Sequence, residues 1–434
     1  MPVPAPPSNP VRPLKILLVS QFFDPEPIAK GLPFARELRR RGHDVQVLTG
    51  FPNYPGGAIY PGWRQRPRHR STIDGITVTR VPLYPSHDGS GLRRALNYLS
   101  FTASAAIGAL TVTRPDVVYT YNQPAGVVGL VLKHLRGVPY VVDVQDLWPD
   151  TVASSGMMRN RLVMRLIRLM ADGVVAGAAH VVTLAPGMTR VVAERSGRPE
   201  AVSTIVNWAL ADDGADADAA LAADGALTAA RPQRTPGRFV ATFAGNLGIA
   251  QRLDTVLDAA ALLRDDPGIV IRLVGDGVEA DHLRRRVATE RLTNVELTGR
   301  VPLAEAGRLQ HESDALLVHL ANGPLYSVTI PSKTQACLLS GRPVVMAVRG
   351  DAADLVRRAG AGPVVEPGDA VALAEALRGL ADLEPAGRDA LGRAGRRFYD
   401  DELSLGRGVD RFEVVLRDAA ATRSATLRRE VVSV

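Results

Sequence analysis

Short apolar runs alternate with longer amphipathic stretches along the first half of the chain. The run LKILLVS (14–20) has the continuous apolar character of a buried parallel strand. A polar loop follows, and LPFARELRRRGH (32–43) then has helical spacing, with Gly42 placed at its carboxyl end. The alternation continues through the predicted strands DVQVLTG, ITVTRVPLY, DVVYTYN, PYVVDVQ and HVVTLA and through helices near 91–110, 124–136 and 160–178. This order of elements predicts a doubly wound parallel sheet.

The alternation stops at residues 209–237, which are rich in Ala, Asp and Gly and predict a linker. A second array starts at RFVATFAGN (238–246) and continues through VIRLVGDG, NVELTGR, DALLVHL, RPVVMAV and GPVVEPGD. We therefore predict an α/β chain of two doubly wound, Rossmann-like domains. Their predicted bounds are an arm at 1–13, a first domain at 14–208, the linker at 209–237, a second domain at 238–402 and a helical, Arg-rich segment at 403–434.

Composition narrows the class of protein. The formal net charge is +7, but the charge does not cluster as in nucleic-acid binders, so no nucleic-acid partner is expected. The single cysteine, Cys337, fits a reducing cytoplasmic compartment and helical spacing places it in a core. The Pro-rich start has no apolar signal-peptide region and predicts a loose arm. No apolar run reaches the roughly 20 residues that span a bilayer.

Glycine-containing turns after the first predicted strand of each domain are candidate anion sites. In DPEPIAKG (24–31), Lys30 and Gly31 precede a helix whose free N–H groups attract anions. In FAGNLG (243–248), Gly245 and Asn246 repeat the arrangement. Neither turn is a G-x-G-x-x-G or Walker A motif, so a nicotinamide or flavin dinucleotide is not expected. Ordinary surface turns are the alternative interpretation.

The segment TIPSKTQACLLSG (329–341) contains one of only four lysines in a chain with 52 Lys and Arg residues. Pro331 comes just before a predicted helix, which Ser332 is expected to cap. Lys333 adds an ammonium group to the same helix start. Together these groups predict a pyrophosphate site that needs no metal ion.

Two further strand ends carry glycines that let the backbone approach a ligand. LVGDG contains Gly275, Asp276 and Gly277, and TGRVP contains Arg300 and Val301. Backbone groups at such turns can contact a nucleobase. Tight-turn chemistry alone is an equally good interpretation of the two glycines in LVGDG.

Polar and aromatic residues follow two predicted strands of the first domain. DVQDLWPD (143–150) contains Asp146, Trp148 and Asp150, and Asp143 is expected to lie inside the strand. YTYNQPAG places Tyr121 and Asn122 at the neighbouring strand end, where contact with the same ligand and a purely structural role are equally good interpretations. Carboxylates can hold sugar hydroxyls, and an aromatic ring can stack on a sugar face. We expect ligands outside the carboxyl ends of both sheets, in the cleft between the two domains.

Two predicted helices combine arginines with apolar residues in a way that is typical of peripheral membrane contact. GLRRALNYLSFTASAAIGAL (91–110) begins basic and becomes apolar. RNRLVMRLIRLMADGV spaces its arginines among Leu, Met and Ile at Arg159, Arg161, Arg165 and Arg168. A helix packed on a sheet with a solvated Arg face is the alternative. No metal site is expected, because the eight His are scattered and the Asp216 and Asp218 pair falls in the linker.

The motifs FPNYPGG, DLWPD, FAGNLG, LVGDG, TGRVP and IPSKTQ…SGRPVV together resemble the group-one nucleotide-sugar glycosyltransferases of family four. The resemblance is greatest to the branch that assembles O-antigen, capsule and colanic-acid polysaccharides. It implies a GT-B fold whose C-terminal helix crosses back to the first domain. It also implies a hexosyltransferase that retains anomeric configuration without a metal or other cofactor. Its nucleotide-sugar donor, usually UDP-linked, is held by the second domain, and a glycan or lipid-linked acceptor by the first.

The same resemblance assigns roles to individual residues and shows where this sequence departs from the pattern of the family. Val328 and Ala336 stand where many members of the family have glutamates, so Gln335 is the candidate to hold the ribose. Asn246 and Gln251 replace a common Arg and Lys, which leaves the diphosphate to Lys333, Ser332, backbone N–H groups and Arg252.

In the first domain, Asn122 replaces a frequent His, and Asp146 is expected to orient the sugar or the acceptor. Transfer to a soluble small molecule and a non-catalytic, nucleotide-binding role are the alternative functions.

Overall fold

The computed structural model describes residues 12–86, 91–154, 160–210 and 237–432, without the side chains of 154, 303 and 423–432. Most of the predicted arm and linker, and also Arg159, Asp216 and Asp218, lie outside these ranges. The described residues form two compact units. The first contains residues up to Val182, Arg195–Ser203 and those from Arg411 onward, and the second contains Thr183–Glu194 and Thr204–Asp410.

The first sheet has eight strands in the order β3-β4-β2-β1-β5-β6-β7-β8. In chain order they are β1 Lys15–Val19, β2 Asp44–Gly50, β3 His69–Ile73, β4 Ile76–Val81, β5 Val117–Tyr121, β6 Tyr140–Val144, β7 His180–Thr183 and β8 Val202–Thr204. The pairs β4–β2, β2–β1, β1–β5 and β5–β6 are parallel, whereas β3 is antiparallel to β4. The central strands are buried almost throughout, which explains their continuous apolar sequences.

Between these strands along the sequence, the described residues form six helices, of which the last lies mostly in the second unit. They are α1 Leu32–Arg40, α2 Gly91–Ala109, α3 Gln123–Arg136, α4 Asp150–Ser154, α5 Arg161–Gly177 and α6 Pro186–Ser196. Local sequence sets the ends of α3, because Asn122 caps its first turn and Gly137 closes it with a φ of 60°.

The second sheet has five parallel strands in the order β11-β10-β9-β12-β13. They are β9 Phe239–Ala244, β10 Ile269–Val274, β11 Val295–Gly299, β12 Ala315–His319 and β13 Val344–Ala347. The helices are α7 Asp254–Leu262, α8 Ala280–Thr289, α9 Leu303–Glu312, α10 Pro324–Ser327, α11 Ser332–Leu339, α12 Asp351–Ala359, α13 Ala370–Asp382, α14 Pro385–Phe398 and α15 Leu405–Val432. The two parallel sheets confirm the prediction of two doubly wound domains.

The structure corrects three local predictions. The short edge strands β3 and β8 have no clear apolar signature and were not predicted. The GPVVEPGD segment, predicted as a strand, makes only a single parallel bridge between Val364 and Met346. Pro363 and Pro367 lack the N–H groups that a longer ladder needs. Residues 204–208, which the pattern placed in the first domain, group with the second unit, where Trp208 contacts Gly408.

An aromatic cluster ties the C-terminal helix into the core of the first unit. Phe412 of α15 packs edge-on against Phe34 of α1 and Tyr119 of β5, with ring centroids 5.3 and 5.6 Å away. All three side chains are at most 1% exposed. Such contacts stabilise a fold through buried area and ring geometry together. None of the helices in the described part of the chain is both long and apolar enough to cross a bilayer.

Candidate active site

In the first unit, the carboxyl ends of the paired strands β5 and β6 bring Asn122 and Asp146 together. Asn122 has a φ of 71° and a ψ of 159°, a conformation that is costly for any residue other than glycine. Its side-chain oxygen accepts a hydrogen bond from the backbone N–H of Gln123 at 2.9 Å, and its amide also hydrogen-bonds the Asp146 carboxylate. Strain of this kind persists where the surrounding structure imposes it, often at functional sites.

Asp146 lies among aromatic side chains. Burial raises the pKa of its carboxyl group, and the hydrogen bond from Asn122 opposes that rise. The pKa values of Tyr121 and Tyr98 are raised by burial and further by the nearby Asp146. Trp148 packs edge-on against Tyr98 with ring centroids 5.5 Å apart. The structure therefore groups Asn122, Asp146, Tyr121 and Trp148 at one sheet edge, as the sequence suggested, in a setting suited to orienting a hydroxyl group.

Lys30 is not available to a ligand, and its predicted contact with a phosphate is wrong. Its side chain has no exposed surface, and Nζ lies 2.5 Å from Oδ2 of Asp143. The same carboxylate accepts hydrogen bonds from the Tyr119 hydroxyl and from Gln145 Nε2, and the ammonium group lies 4.6 Å from the centroid of the Phe412 ring. Lys30 is therefore a structural cation that holds the 24–31 loop on the sheet.

Two other residues of this unit that were predicted to contact a ligand, Gly31 and Asp150, already make contacts within the fold. Gly31 is the N-cap of α1 and is buried against Ile28, so it positions the helix start and does not face solvent. The Asp150 carboxylate forms an ion pair with Arg195, which commits it to a contact between α4 and α6.

In the second unit, two strand-end turns pack against each other through glycines. Gly245 has a φ of 141°, and a Cβ atom there would lie 3.2 Å from Nζ of Lys333. Gly275 has a φ of 135°, and its Cβ atom would lie only 1.9 Å from the carbonyl oxygen of Gly245. Gly277 lies against Leu247 and the side chain of Asn246. The glycines of LVGDG thus serve the close approach of two turns, and the structure brings these turns beside Lys333.

Lys333 has an unusual electrostatic environment. Its Nζ atom is buried and has no hydrogen-bond partner among the described residues. The ammonium group lies 3.8 Å from the centroid of the buried Phe243 ring. Burial lowers the pKa of Lys333 from 10.5 to about 8, and no carboxylate offsets this effect. An uncompensated cation at a glycine-rich strand end is suited to receive an anion.

His319 belongs to the same neighbourhood and was missed by the sequence interpretation. It ends β12 with no exposed surface, its Nδ1 atom lies 2.7 Å from the carbonyl oxygen of Gln251, and its Nε2 atom is buried without a partner in the described residues. Burial, together with the cations Arg252 and Lys333, lowers its pKa. A neutral imidazole that donates from Nδ1 leaves Nε2 as a free acceptor. A buried His within an apolar strand gives no periodicity signal.

The IPSK turn departs from its predicted geometry. Pro331 is the N-cap of α11 and Ser332 is the first helical residue, so Ser332 does not cap the helix as expected. Gln335 is 1% exposed. In the orientation of the side-chain amide that satisfies its hydrogen bonds, the amide nitrogen donates to the carbonyl oxygens of Pro331 and Ser332, each at 2.9 Å. Those bonds use both of its amide hydrogens within the first turn, so only its side-chain oxygen is left to accept a hydrogen bond, and its contact with a ribose stays a prediction.

The remaining predicted residues of the second unit lie at the surface. Asp276 is half exposed, and its Oδ1 atom accepts a hydrogen bond from the N–H of Gly277 at 2.9 Å. Arg300 is exposed and Val301 is half-buried, and the described residues provide no polar partner for the Arg300 side chain.

One cluster of possible metal ligands occurs in this unit. Asp254, Glu279 and His282 each place one ligand atom within 4.8 Å of the others. However, Asp254 Oδ1 already accepts hydrogen bonds from His282 Nε2 at 2.8 Å and from Arg286 Nη1 at 2.9 Å. Because these contacts occupy the carboxylate, we do not assign a metal to the cluster.

Two family models match the chain, one in each half. The model described as Glycosyl transferase 4-like domain matches residues 32–208. The model described as Glycosyl transferases group 1 matches residues 238–382. The chain belongs to the group-one glycosyltransferases. The predicted family and transferase class are thereby confirmed.

This glycosyltransferase is similar to two bacterial glycosyltransferases. It is 24% identical to the glycosyltransferase WbjE of Pseudomonas aeruginosa, over 67% of this chain and 73% of that protein. It is 27% identical to WcaI of Escherichia coli K12, named as a colanic acid biosynthesis glycosyl transferase, over 77% of this chain and 83% of that protein.

Solved structures share the architecture of the glycosyltransferase. Anabaena HepE in complex with UDP superposes with a TM-score of 0.63 at 18% identity, covering 93% of this chain and 100% of that chain. Trehalose 6-phosphate synthase of Burkholderia multivorans gives a TM-score of 0.68 at 14% identity, covering 96% and 99%. These likenesses confirm the predicted GT-B fold.

Replacing Lys30 tests its structural role. We expect Lys30→Met to lower the free energy of unfolding by about 3–5 kcal/mol, because it leaves the buried Asp143 carboxylate unpaired. Adding Asp143→Asn should restore part of this loss, and the exposed Lys15→Met is the control. Urea denaturation measures the free energy of unfolding of each variant. A stable Lys30→Met protein that had lost nucleotide-sugar affinity would instead return Lys30 to the ligand site.

The uncompensated charge of Lys333 predicts a pH-dependent stability. Its folded pKa of about 8 lies below its ordinary value of 10.5, so below pH 8 the folded state bears the full cost of the buried charge. Lys333→Met should therefore raise the free energy of unfolding near neutral pH, by up to about 3 kcal/mol.

As the pH rises from 8 towards 10.5, this gain should disappear, because the wild-type lysine is then neutral when folded. Urea denaturation across that range, with Lys15→Met as the matched control, measures the gain. A gain that does not change with pH would contradict the assignment of the effect to charge.

Proposed function

We propose that the chain transfers a sugar from a UDP-sugar to a glycan or lipid-linked acceptor in cell-surface polysaccharide assembly. We further propose that the anomeric configuration is retained and that no metal or other cofactor takes part. The observation that carries the proposal is the buried, unpartnered Nζ atom of Lys333 beside the Gly245 turn. The identity of the acceptor is supported by the resemblance to the WcaI protein named for colanic acid biosynthesis.

A diphosphate is the ligand whose charge best fits this position. The ammonium group of Lys333 lies on Phe243 without a carboxylate, so an incoming anion has no internal competitor to displace. The amino end of α11 adds N–H groups and a partial positive charge next to Lys333. Binding of a diphosphate would raise the pKa of Lys333 and restore its full charge.

The same groups can assist the departure of the diphosphate. As the bond from the anomeric carbon to the phosphate oxygen breaks, negative charge grows on that oxygen, where Lys333 and the start of α11 stabilise it. The acceptor hydroxyl attacks on the face that the diphosphate leaves, which retains configuration, and a donor phosphate oxygen takes its proton. Here two positive groups of the protein perform the neutralisation that Mg²⁺ performs in other transferases.

The first unit supplies the polar groups for orientation. Asp146 and the strained Asn122 form a hydrogen-bonded pair whose carboxylate can accept a bond from a sugar hydroxyl. Trp148 and Tyr121, at the same sheet edge, provide aromatic surface for a sugar face. Uridine as the base is supported by the UDP bound in the HepE structure.

Peripheral contact with an anionic membrane is part of this proposal. On α2, the exposed apolar residues Leu92, Leu96, Leu99, Ala103 and Ile107 recur every three or four positions, which places them on one helical stripe. A helix face that is exposed to water is normally polar. The length of the stripe suits contact with acyl chains.

Helix α5 repeats the pattern and adds charge. Leu162, Leu166 and Leu169 are 72, 65 and 59% exposed, and they form a second stripe. Beside it lies an exposed row of arginines with no ion pairs to the described residues, at Arg161, Arg165 and Arg168. A leucine stripe flanked by uncommitted arginines matches the chemistry of an anionic lipid surface.

The role of Lys333 in turnover can be tested directly. With UDP-, GDP- and dTDP-sugars as candidate donors, we expect Lys333→Ala to reduce kcat for the active donor at least ~10²-fold, as for removal of one transition-state donor. Lys15→Ala should behave as the wild type, and EDTA should leave turnover unchanged. Release of the nucleoside diphosphate is the measurement. Wild-type turnover by Lys333→Ala would exclude the mechanism, and loss of activity in EDTA would exclude metal independence.

Membrane contact can be tested by sedimentation with vesicles. Replacing Leu162, Leu166 and Leu169 by Gln should weaken binding to vesicles that contain phosphatidylglycerol at least ~10-fold, because apolar burial is lost. The matched triple variant replaces exposed apolar residues elsewhere by Gln, at Val371, Leu383 and Val414. It should bind like the wild type. Equal binding by all three proteins would rule out α5 as the contact.

A further inference from the structure

The first unit contains a pocket that the proposed mechanism does not use. It has a volume of about 270 Å³ and is lined by Phe51, Gly62, Trp63, Arg64, Arg66 and His69. These residues come from the loop after β2 and from the start of the edge strand β3. Charge and aromatic surface therefore meet in a concave part of this unit.

Three rings give the pocket a defined wall. Trp63 lies 6.4 Å from Phe51 and 6.2 Å from His69, both nearly perpendicular to it, and Phe51 lies 6.3 Å from His69. Phe51 is only 1% exposed and anchors the cluster in the core. Mutual edge contacts of this kind hold ring positions more firmly than a single exposed ring could.

Behind this wall lies a buried cation. The guanidinium carbon of Arg80, on β4, is 4.6 Å from the centroid of Trp63, and the residue is 1% exposed. One nitrogen of Arg80 donates to the carbonyl oxygen of Asp24, whereas Nε and Nη1 have no hydrogen-bond partner among the described residues. The nearby Glu26 carboxylate is already used by the backbone N–H groups of Phe23, Asn53 and Tyr54. The Asp24 and Glu26 carboxylates lie close enough to offset the charge of Arg80, so this residue supports the Trp63 ring from behind and is not counted as a source of positive potential.

The front of the pocket is positive. Residues 51–73 contain four arginines and His69 but no Asp or Glu, a local clustering of charge that the overall composition does not reveal. Arg64 and Arg66 are exposed and make no ion pair with the described residues. Their guanidinium groups can each offer two parallel donors to a phosphate.

We propose that this pocket binds the phosphate or diphosphate group of the acceptor. Arg64 and Arg66 donate to the phosphate oxygens, and Trp63 and Phe51 contact the adjoining sugar or lipid carbons. A phosphate that carries two charges can satisfy both arginines, whereas one carboxylate neutralises only one of them. The assignment to the acceptor rests on the proposed function, but binding of a phosphate group does not.

The chain has only three tryptophans, which makes a local test possible. Protein labelled with 5-fluorotryptophan should give three ¹⁹F resonances, which Trp148→Phe and Trp208→Phe assign. We expect inorganic pyrophosphate to shift the Trp63 resonance saturably at constant ionic strength. The Arg64→Gln/Arg66→Gln variant should raise the Kd at least ~10-fold, as expected for loss of charge-assisted hydrogen bonds.

The control is Arg68→Gln, which removes the same charge from the same loop but does not line the pocket. It should leave the Kd within about twofold, because exposed charges are screened by salt. Lys333→Ala should leave the Trp63 shift intact, so failure of the donor site and failure of this pocket give different results.

A soluble prenyl diphosphate is the second probe. Tighter binding of this probe than of pyrophosphate assigns the rings to a lipid chain, and equal binding assigns the pocket to phosphate alone. An unshifted Trp63 resonance, or equal losses in Arg68→Gln and the double variant, would overturn the proposal.

Discussion

The second unit depends on one electrostatic constraint, the burial of the Lys333 ammonium group without a counter-ion. Desolvation of a cation is costly, and the described residues offer it the face of Phe243 but no hydrogen-bond acceptor and no carboxylate. The surrounding turns are compatible with this arrangement because Gly245 places no side chain against the lysine, and Gly275 lets the next turn approach the Gly245 backbone. A fold that tolerates such a cost gains from it when an anion binds, since the charge is already desolvated and positioned.

Lys30 and Lys333 show why a motif alone does not identify a ligand contact. Both lie near a glycine and close to the start of a helix, and sequence reasoning gave both the same role. The difference is Asp143, which pairs with Lys30 across 113 positions of sequence, whereas no carboxylate reaches Lys333. Local spacing predicts that a cation stands near a helix start, but only the tertiary structure determines whether that cation is already neutralised.

The same distinction separates the predictable part of the fold from the rest. Central strands and amphipathic helices were predicted because burial imposes a period on the sequence. The edge strand β3 was missed since its residues alternate only between half-buried and exposed. His319 was missed, and the contacts of Gln335 were not foreseen, because the partners of both side chains are backbone carbonyls, which no sequence pattern records. The pairing of Asn122 with Asp146 was predictable, because parallel strands end at a common edge.

Buried cations lie on aromatic rings in both units. Whether a carboxylate also contacts the cation indicates its role. Lys30 lies on Phe412 and also has Asp143, so its charge is consumed within the fold. Lys333 on Phe243 and Arg80 on Trp63 have no carboxylate in hydrogen-bond contact among the described residues. An aromatic face lowers the cost of burying a cation without neutralising its charge. For Lys333 the positive potential remains available to a ligand. The Asp24 and Glu26 carboxylates offset the charge of Arg80, so a phosphate in the pocket beside Trp63 depends on Arg64 and Arg66.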